Sequence, residues 1–349
     1  MNSELSLYNE LISVSNLFQA FKVFRRGKGS RADVLKFEYN LEKNIFDLHR
    51  GLYNKRYKHS SYDSFYVTDP KQRHIHKACV WDRIIHHLVY NKLYAIYDRK
   101  FIATSFSCRI GKGSHRGVGW LYKSVRKVSK NYRKPCFVLK CDVRKFFDSV
   151  DHSILLEIIK RKIIDRDTIS LIETVIDSFA SGRSSLFERK GLPIGNLTSQ
   201  IFANIYMNEF DQYVKRELKV KYYGRYSDDF VIVSTNKKEL ENILDKVGIF
   251  LKTKLALDLH PNKISIRKLH SGIDFLGYVV FPHHILLRTK TKNRISKNLD
   301  FKIKDYVAGK TGKENLESVL YSYLGTLSHA DTYSFSEKLK NDYFFKMNM

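Results

Sequence analysis

Leu41, Ile45, Leu48 and Leu52 recur three and four positions apart, the spacing of one buried helical face. The chain up to about Arg56 reads as helical around a basic, partly polar loop at 22–36. Residues 82–98 repeat the pattern, with Ile84, Ile85, Leu88, Val89 and Leu93 on one side. At 136–143 the period changes: a short apolar run predicts a buried strand. A helix should follow, capped by Asp151 or Ser153, with Ile154, Leu155, Ile158, Ile159 and Ile163 on its apolar side. Residues 198–218 predict another helix, with Ile201, Ile205 and Phe210 inward. Residues 222–233 predict a β-hairpin whose tight turn holds Ser227, Asp228 and Asp229, before a helix from Lys237 to about Leu255. Strands and helices are mixed without strict βαβ alternation. The expected class is therefore α+β, an antiparallel sheet covered on one face by helices.

Charge narrows the partners. The 62 Lys and Arg exceed the 36 Asp and Glu to give a net charge of +26. Such an excess suits a polyanion, nucleic acid before an anionic membrane, although a lysine-rich proteome would also produce it. The segment 288–304 carries seven Lys or Arg against one acid, Asp300, and has too few large apolar residues for a membrane-surface helix. No stretch approaches the roughly 20 apolar residues of a membrane span. The start, 1–12, contains two Glu and lacks the order of a signal peptide. Cys79, Cys108, Cys136 and Cys141 show no paired spacing, so reduced, mostly buried thiols in a cytoplasmic protein are expected, with no zinc site.

The candidate chemistry lies on the hairpin. Adjacent acids on a turn are often only solvated turn formers. Here aromatic and β-branched residues on both arms (Tyr222, Tyr223, Tyr226, Phe230, Val231, Ile232, Val233) should bury it. A buried turn presenting two carboxylates calls for a hard cation such as Mg²⁺. Asp142, ending the strand at 136–143, would supply a third carboxylate. Two carboxylate-bearing elements side by side suit a pair of metal ions and in-line phosphoryl displacement.

At these residues the sequence resembles the reverse transcriptase family. Tyr226-Ser-Asp-Asp229 looks like its Tyr-x-Asp-Asp box and Asp142 to Phe147 like its first catalytic block. Lys71-Gln-Arg-His-Ile-His76 and Trp81-Asp-Arg83 look like its fingers block, and Phe101 to Gly117 like the block that follows. Gly191-Leu-Pro-Ile-Gly-Asn-Leu-Thr-Ser-Gln200 looks like the block contacting the templating pair, and Phe275-Leu-Gly-Tyr278 like the primer-gripping block. Each box alone is weak; six in family order across about residues 70–290 are specific.

The resemblance implies a right-hand polymerase with an antiparallel palm sheet packed on helices. Its expected parts are an N-terminal helical extension at 1–60, fingers at 61–135, palm at 136–283 with a fingers insertion at about 165–195, and a helical thumb at 284–349. No nuclease or integrase domain is expected in that remainder. The resemblance implies an RNA-directed DNA polymerase with two Mg²⁺ ions, Mn²⁺ able to substitute, held by Asp142, Asp228, Asp229 and Val143. Arg73, Arg83, Phe147, Ile194, Gly195, Gln200 and Lys263 would meet the nucleotide: the arginines at its triphosphate, Phe147 as the bulk that rejects a 2′-hydroxyl, Lys263 at the leaving pyrophosphate. Lys112, Arg116, Tyr226, Phe275, Gly277, Arg288, Lys290, Lys292 and Arg294 would meet nucleic acid. For Arg73 and Arg83 the bland alternative is a surface salt bridge, and for Phe147 a core aromatic, although Phe146 and Phe147 cannot both point inward from an extended segment.

Most of the family carries Gln where Ile194 stands and Pro where Gln200 stands. Ile-Gly-x-x-x-Ser-Gln is similar to the pattern of diversity-generating retroelement reverse transcriptases, as is Ser328-His-Ala-Asp-Thr-Tyr333 within 321–343. That resemblance implies a template-repeat RNA, misincorporation at adenines, and a small basic accessory protein oligomer. The expected partners are thus template RNA or a structured non-coding RNA, primer and cDNA product, and dNTPs, with no membrane. Ile194 offers no side-chain hydrogen bond, so it would hold the nascent pair less tightly. Two alternatives remain: a phage-defence or retron-type reverse transcriptase with a dedicated non-coding RNA, and a non-catalytic RNA-binding protein.

Overall fold

The computed structural model describes residues 6–69, 71–181 and 189–347. Four helices open the chain, Leu7–Leu11, Val14–Arg25, Ala32–Tyr39 and Leu41–Tyr53. The hydroxyls of Ser6 and Ser13 accept hydrogen bonds from Asn9 N and Asn16 N and start the first two. The expected loop at 22–36 is mostly helix. Only Arg26–Arg31 breaks it, because Phe24, Val34 and Phe37 must all be buried against helix Val80–Tyr97 and its neighbours. That helix spans the expected 82–98.

A two-stranded hairpin, β1 (Asp63–Val67) and β2 (Arg73–Lys77), projects from this helical layer. The central sheet comprises β3 (Phe137–Asp142), β4 (Tyr223–Tyr226), β5 (Asp229–Ser234) and β6 (Ser265–Lys268), in the order β4-β5-β3-β6 and antiparallel throughout. Period-two alternation sends Leu139, Cys141, Phe230 and Ile232 to one face and Val138, Val231 and Val233 to the other.

Both faces are covered, where one was expected. Helices Leu197–Gln212 and Lys237–Leu255 pack on the first. Helix Ser114–Val128 packs on the second, with Trp120 so close over Gly224 that a Cβ there would lie 2.4 Å from its ring. The unbroken apolar run Phe230–Val233 on β5 is the signature of a strand buried on both faces. Each large strand side chain so buried, Phe230 for example, contributes about 2–3 kcal/mol.

The other predicted helices form close to their expected places. Asp151 accepts from Ser153 N and Ile154 N to cap helix His152–Lys160, and Asn236 caps Lys237–Leu255. Phe146–Ser149 is a short helical turn rather than an extended segment, yet it still parts the two rings: Phe146 is buried and Phe147 is half-buried. Of the expected 165–195 insertion, helix Arg166–Asp177 is described, and residues 182–188 lie outside the described residues.

A second, three-stranded sheet follows: β7 (Ile273–Phe275), β8 (Tyr278–Val280) and β9 (Ile285–Leu287). Helices Thr289–Val307, Lys313–Leu327 and Tyr333–Met347 then bury Ile295, Leu299, Leu316, Leu320, Leu327, Leu339 and Tyr343 between them. The sheet continues past residue 284, through Ile285–Leu287, before the helices begin. The turn at 328–333 is fastened to β9: Asp331 N donates to Ile285 O at 2.7 Å, and Asp331 Oδ2 accepts from Ile285 N at 2.9 Å.

Candidate active site

The β4–β5 hairpin turns through Ser227 and Asp228, with Tyr226 opposite Asp229, so Asp229 begins β5 rather than lying in the turn. Ser227 takes a left-handed φ of +58°. The turn is stiffened from beneath. Arg225, wholly buried, donates to both oxygens of Asp211 at 2.7 Å and to the carbonyl of Ser227 at 2.9 Å. Tyr223 OH adds a 2.6 Å bond to Asp211. Arg225 is thus spent on the fold and unavailable to the two acids beside it in sequence.

β3 brings the third carboxylate. Asp142 is the direct cross-strand partner of Asp229, and Val143 N donates to Asp228 O at 3.2 Å. Val143 is buried and offers no side-chain ligand, so its place in the site is through the main chain. Two lysines face the acids: Lys263 Nζ lies 2.9 Å from Asp142 Oδ1 and Lys140 Nζ 3.7 Å from Asp229 Oδ2. Lys140 also donates to Asp274 O at 2.9 Å, which links the site to β7.

These cations leave one carboxylate oxygen unsatisfied. Asp229 Oδ1 is buried with no hydrogen-bond partner. Burial pushes the Asp229 carboxyl up to about 6, against the pull of Lys140 and with Asp142 and Asp228 adding to the rise. Burial and then Asp142 also raise Asp228. Among the described residues no three or more His, Cys, Asp or Glu side chains stand together as a group that could hold a metal ion without further ligands. The donor set is nonetheless the one Mg²⁺ prefers: hard carboxylate oxygens, one of them orphaned, opening onto a cavity that leaves positions for substrate oxygens. The residues fit the ion.

That cavity, about 600 Å³, gathers much of what the sequence suggested. Arg73, Phe147, Ile194, Gly195, Gln200, Tyr226 and Lys263 line it beside Asp142, Val143, Asp228 and Asp229. β2 is held against its wall by His76 N donating to Ile194 O at 2.9 Å and Asn196 Nδ2 donating to His76 O at 2.7 Å. Gly195 at φ +115° sits where a Cβ would lie 2.8 Å from Ile75 Cγ2, so glycine is required for this close approach.

A second cavity of about 820 Å³ lies between the hairpin tip and helix Thr289–Val307, lined by Asp69, His115, Gly277, Arg288, Lys290 and Arg294. Asn298 Nδ2 reaches Asp69 Oδ2 across it at 3.3 Å.

Other candidates lie elsewhere. Arg83 does not line the acid cavity; it is 2.5 Å from Asp33 and stacked over Phe24, because the fourth residue of helix Val80–Tyr97 faces the N-terminal helices. Phe275 is fully buried, so its ring cannot touch nucleic acid and its role is to seat β7. Lys112 donates to Ala103 O at 2.8 Å, and Lys292 lies over the ring of Phe335. Arg116 is exposed at the start of helix Ser114–Val128, outside both cavities. Arg288 lines the second cavity while paired with Asp274. Of the cysteines, only Cys136 and Cys141 are buried; Cys108 is exposed and lines the acid cavity.

Lys140 and Asn196 were missed. Lys140 was findable: two residues before Asp142 on a strand means the same face. Asn196 carried no local signal, since its partner is a main-chain carbonyl 120 residues away.

The family described as reverse transcriptase (RNA-dependent DNA polymerase) matches residues 67–280. Protein YkfC of Escherichia coli is 25% identical over 245 residues, covering 60% of this chain and 62% of that protein. The group II intron-encoded protein LtrA of Lactococcus lactis subsp. cremoris is 22% identical over 260 residues, covering 56% of this chain and 42% of LtrA. The chain thus spans less than two thirds of these curated relatives. Apo telomerase from Candida tropicalis superposes with a TM-score of 0.52 at 12% identity, covering 81% of this chain and 60% of that one, and shares the right-hand polymerase fold.

Proposed function

Because this chain belongs to the reverse transcriptase family, we propose that it is an RNA-directed DNA polymerase extending a primer 3′-OH with dNTPs. The observation that carries this reading is the cross-strand pair Asp142 and Asp229, with Asp228 in the adjoining turn: the three half-buried acids line one cavity, and Asp229 Oδ1 has no hydrogen-bond partner. In the reaction the 3′-oxygen attacks the α-phosphorus, the bond to the β-phosphate oxygen breaks, and pyrophosphate leaves. Two Mg²⁺ ions held by Asp142, Asp228, Asp229 and the Val143 main chain would supply activation of the 3′-OH and neutralisation of the triphosphate. Arg73 would hold the triphosphate by its forked donors, and Phe147 would fill the space a 2′-hydroxyl needs. Lys263, now on Asp142, would turn to the leaving pyrophosphate.

In this reading residues 1–135 and the 165–195 insertion form the fingers, 136–283 the palm and 284–349 the thumb. Template RNA and primer would run through the second cavity, where Arg288, Lys290 and Arg294 track phosphates. The finer assignment is a diversity-generating retroelement enzyme that copies a template-repeat RNA with errors at adenine, aided by a small basic accessory oligomer in the cytoplasm. Its support is Ile194 and Gln200 at the cavity wall and the Ser328–Tyr333 motif. An apolar Ile194 beside the nascent pair removes polar contacts and with them some discrimination. A second reading, a retron-type or defence enzyme working on its own non-coding RNA, uses the same acids and the same chemistry.

The test is dNTP incorporation on a primed RNA with Mg²⁺, on the native protein and on an Asp228→Ala/Asp229→Ala variant, repeated with co-purifying RNA. Metal-dependent synthesis lost in the variant supports the polymerase. Sequencing the product for errors opposite adenine tests the finer assignment. No synthesis in either format, with RNA binding intact, would leave a non-catalytic RNA-binding protein.

A further inference from the structure

At the end of the central sheet remote from the acids, a groove of about 390 Å³ opens between the ends of two helical segments. Ser234 at its rim is five residues along β5 from Asp229, about 17 Å at strand rise. The floor is apolar: Val220, Ile232, Val233 and Ile243. The rim is cationic. Lys127 and Lys130 come from the end of helix Ser114–Val128, and Lys219 and Lys221 from the chain that follows the last turn at Tyr213–Glu217. None of the four makes a salt bridge among the described residues. Lys215, nearby, is spent on the carbonyls of Val220 and Lys221. The one acid in the lining, Glu239, is hydrogen-bonded to Ser234.

Lysines near helix C-termini have an ordinary use, to offset the negative end of the helix dipole. Two helix ends supply about half a charge each, and Glu239 one more, which leaves about two positive charges in excess. Like charges are held together here around a concave floor, with the Tyr222 ring in the lining and Lys221 Nζ 5.6 Å from its centre. Unpaired cations beside a half-buried aromatic ring, with room for one nucleotide, suit single-stranded RNA. A basic protein would be repelled.

We propose that this groove is a distal anchor for single-stranded RNA, holding a part of the template-bearing RNA that lies outside the polymerase cleft. The inference rests on the polymerase reading above, since it assumes that the cleft at the opposite end of the sheet holds the primer–template. RNA gripped at both ends of the sheet stays attached while its 3′ region moves through the cleft. The anchor therefore raises retention of long RNA without touching the chemistry.

The experiment uses the full chain preloaded with a short primer–template duplex, so that the cleft is filled, and titrates it with poly(U) across a salt series. Four lysine-to-glutamine changes, at Lys127, Lys130, Lys219 and Lys221, should weaken poly(U) binding at least about tenfold and lower the slope of log K against log salt by about 3, roughly 0.7 for each of the four lost phosphate contacts on a single strand. Extension of the short duplex should be unchanged. As a second measurement independent of the variant's folding, 4-thiouridine RNA should crosslink to the peptide containing Tyr222 in the native protein. Unchanged affinity and slope, or no crosslink in this peptide, overturns the anchor, and a gain of binding to an acidic protein by the native lysines alone would reassign the groove. Failure of the native protein to extend the duplex, with the lysine-dependent poly(U) binding intact, would sink the polymerase reading and with it the anchoring role, leaving a single-stranded RNA groove on a non-polymerase.

Discussion

Two buried charge clusters share the β4–β5 hairpin, and they are finished differently. Beneath it, Arg225 and Asp211 are wholly buried and fully bonded, with Tyr223, Ser105, Asn204 and the Ser227 carbonyl taking up the remaining capacity. At its tip, Asp228 and Asp229 are mostly enclosed, yet Asp229 Oδ1 meets nothing and the nearest cation stands off at 3.7 Å. Arg225 stands only three and four residues before Asp228 and Asp229 in sequence, so the difference is one of purpose rather than of local composition. A closed pair fixes the turn. An open set stores an unmet demand for positive charge, which an arriving ion and triphosphate can satisfy.

The sharpest way to break this comparison is to neutralise one acid at the tip. Asp229→Asn should cut incorporation by about 10³-fold or more, the scale of losing a preorganised charge at the reacting centre. Thermal stability of the metal-free variant should hold or rise, because an ionised group that burial disfavours is replaced by a neutral one of equal size. Loss of activity accompanied by a marked fall in melting temperature would place Asp229 with the structural cluster instead.

The opposite signature is expected below the hairpin. Asp211→Ala strands a guanidinium in the core and should destabilise by about 3–5 kcal/mol in denaturant melts. Replacing the pair together, Asp211→Leu with Arg225→Met, should recover most of that loss, since apolar residues of similar volume can substitute for a buried ion pair. If the double variant is folded and still inactive, the Arg225 contact to Ser227 O is needed to shape the turn as well as to stabilise it.

How much of this was readable beforehand follows from the range of each interaction. Hairpin, strand and the helix 237–255 were legible because period, turn chemistry and capping are local. The three acids were legible because strand ends and turns expose what they carry. Lys140 obeyed the same period-two rule. Arg225 looked like a neighbour of the acids, and only the fold reveals that it points inward to Asp211. The second covered face was hidden because Trp120 meets Gly224 across 104 residues of chain. Arg83 was misplaced for a similar reason: its partner Asp33 belongs to a helix that the sequence suggested was loop. Side-chain direction fails to be legible where the partner is distant in sequence.

Asn196 tests a smaller effect, the joint between β2 and the cavity wall. Asn196→Ala removes a bond to His76 O that is buried at the joint and should cost about 1–3 kcal/mol of stability. Because Arg73 and Ile194 are aligned through that joint, KM for dNTP should rise more than kcat falls. An unchanged KM would show that the second bond, His76 N to Ile194 O, holds the wall alone.

Asp33 lies at the weak end of the scale, a paired acid that is still a third exposed. Its burial pushes the carboxyl up, but hydrogen bonds from Lys77 and Arg83 outweigh it and hold the group down at about 2. A carboxyl lowered on folding contributes stability that is complete above its unfolded pKa, near 4, and lost as pH falls through 2. Melting temperature should therefore show a shallow fall between about pH 4 and 2 that Asp33→Asn flattens, with no change in incorporation at neutral pH. Arg83→Ala should behave the same way and leave KM for dNTP intact. A KM that rises severalfold in Arg83→Ala would return that arginine to the triphosphate, and would mean that the Asp33 pairing is broken when nucleotide binds.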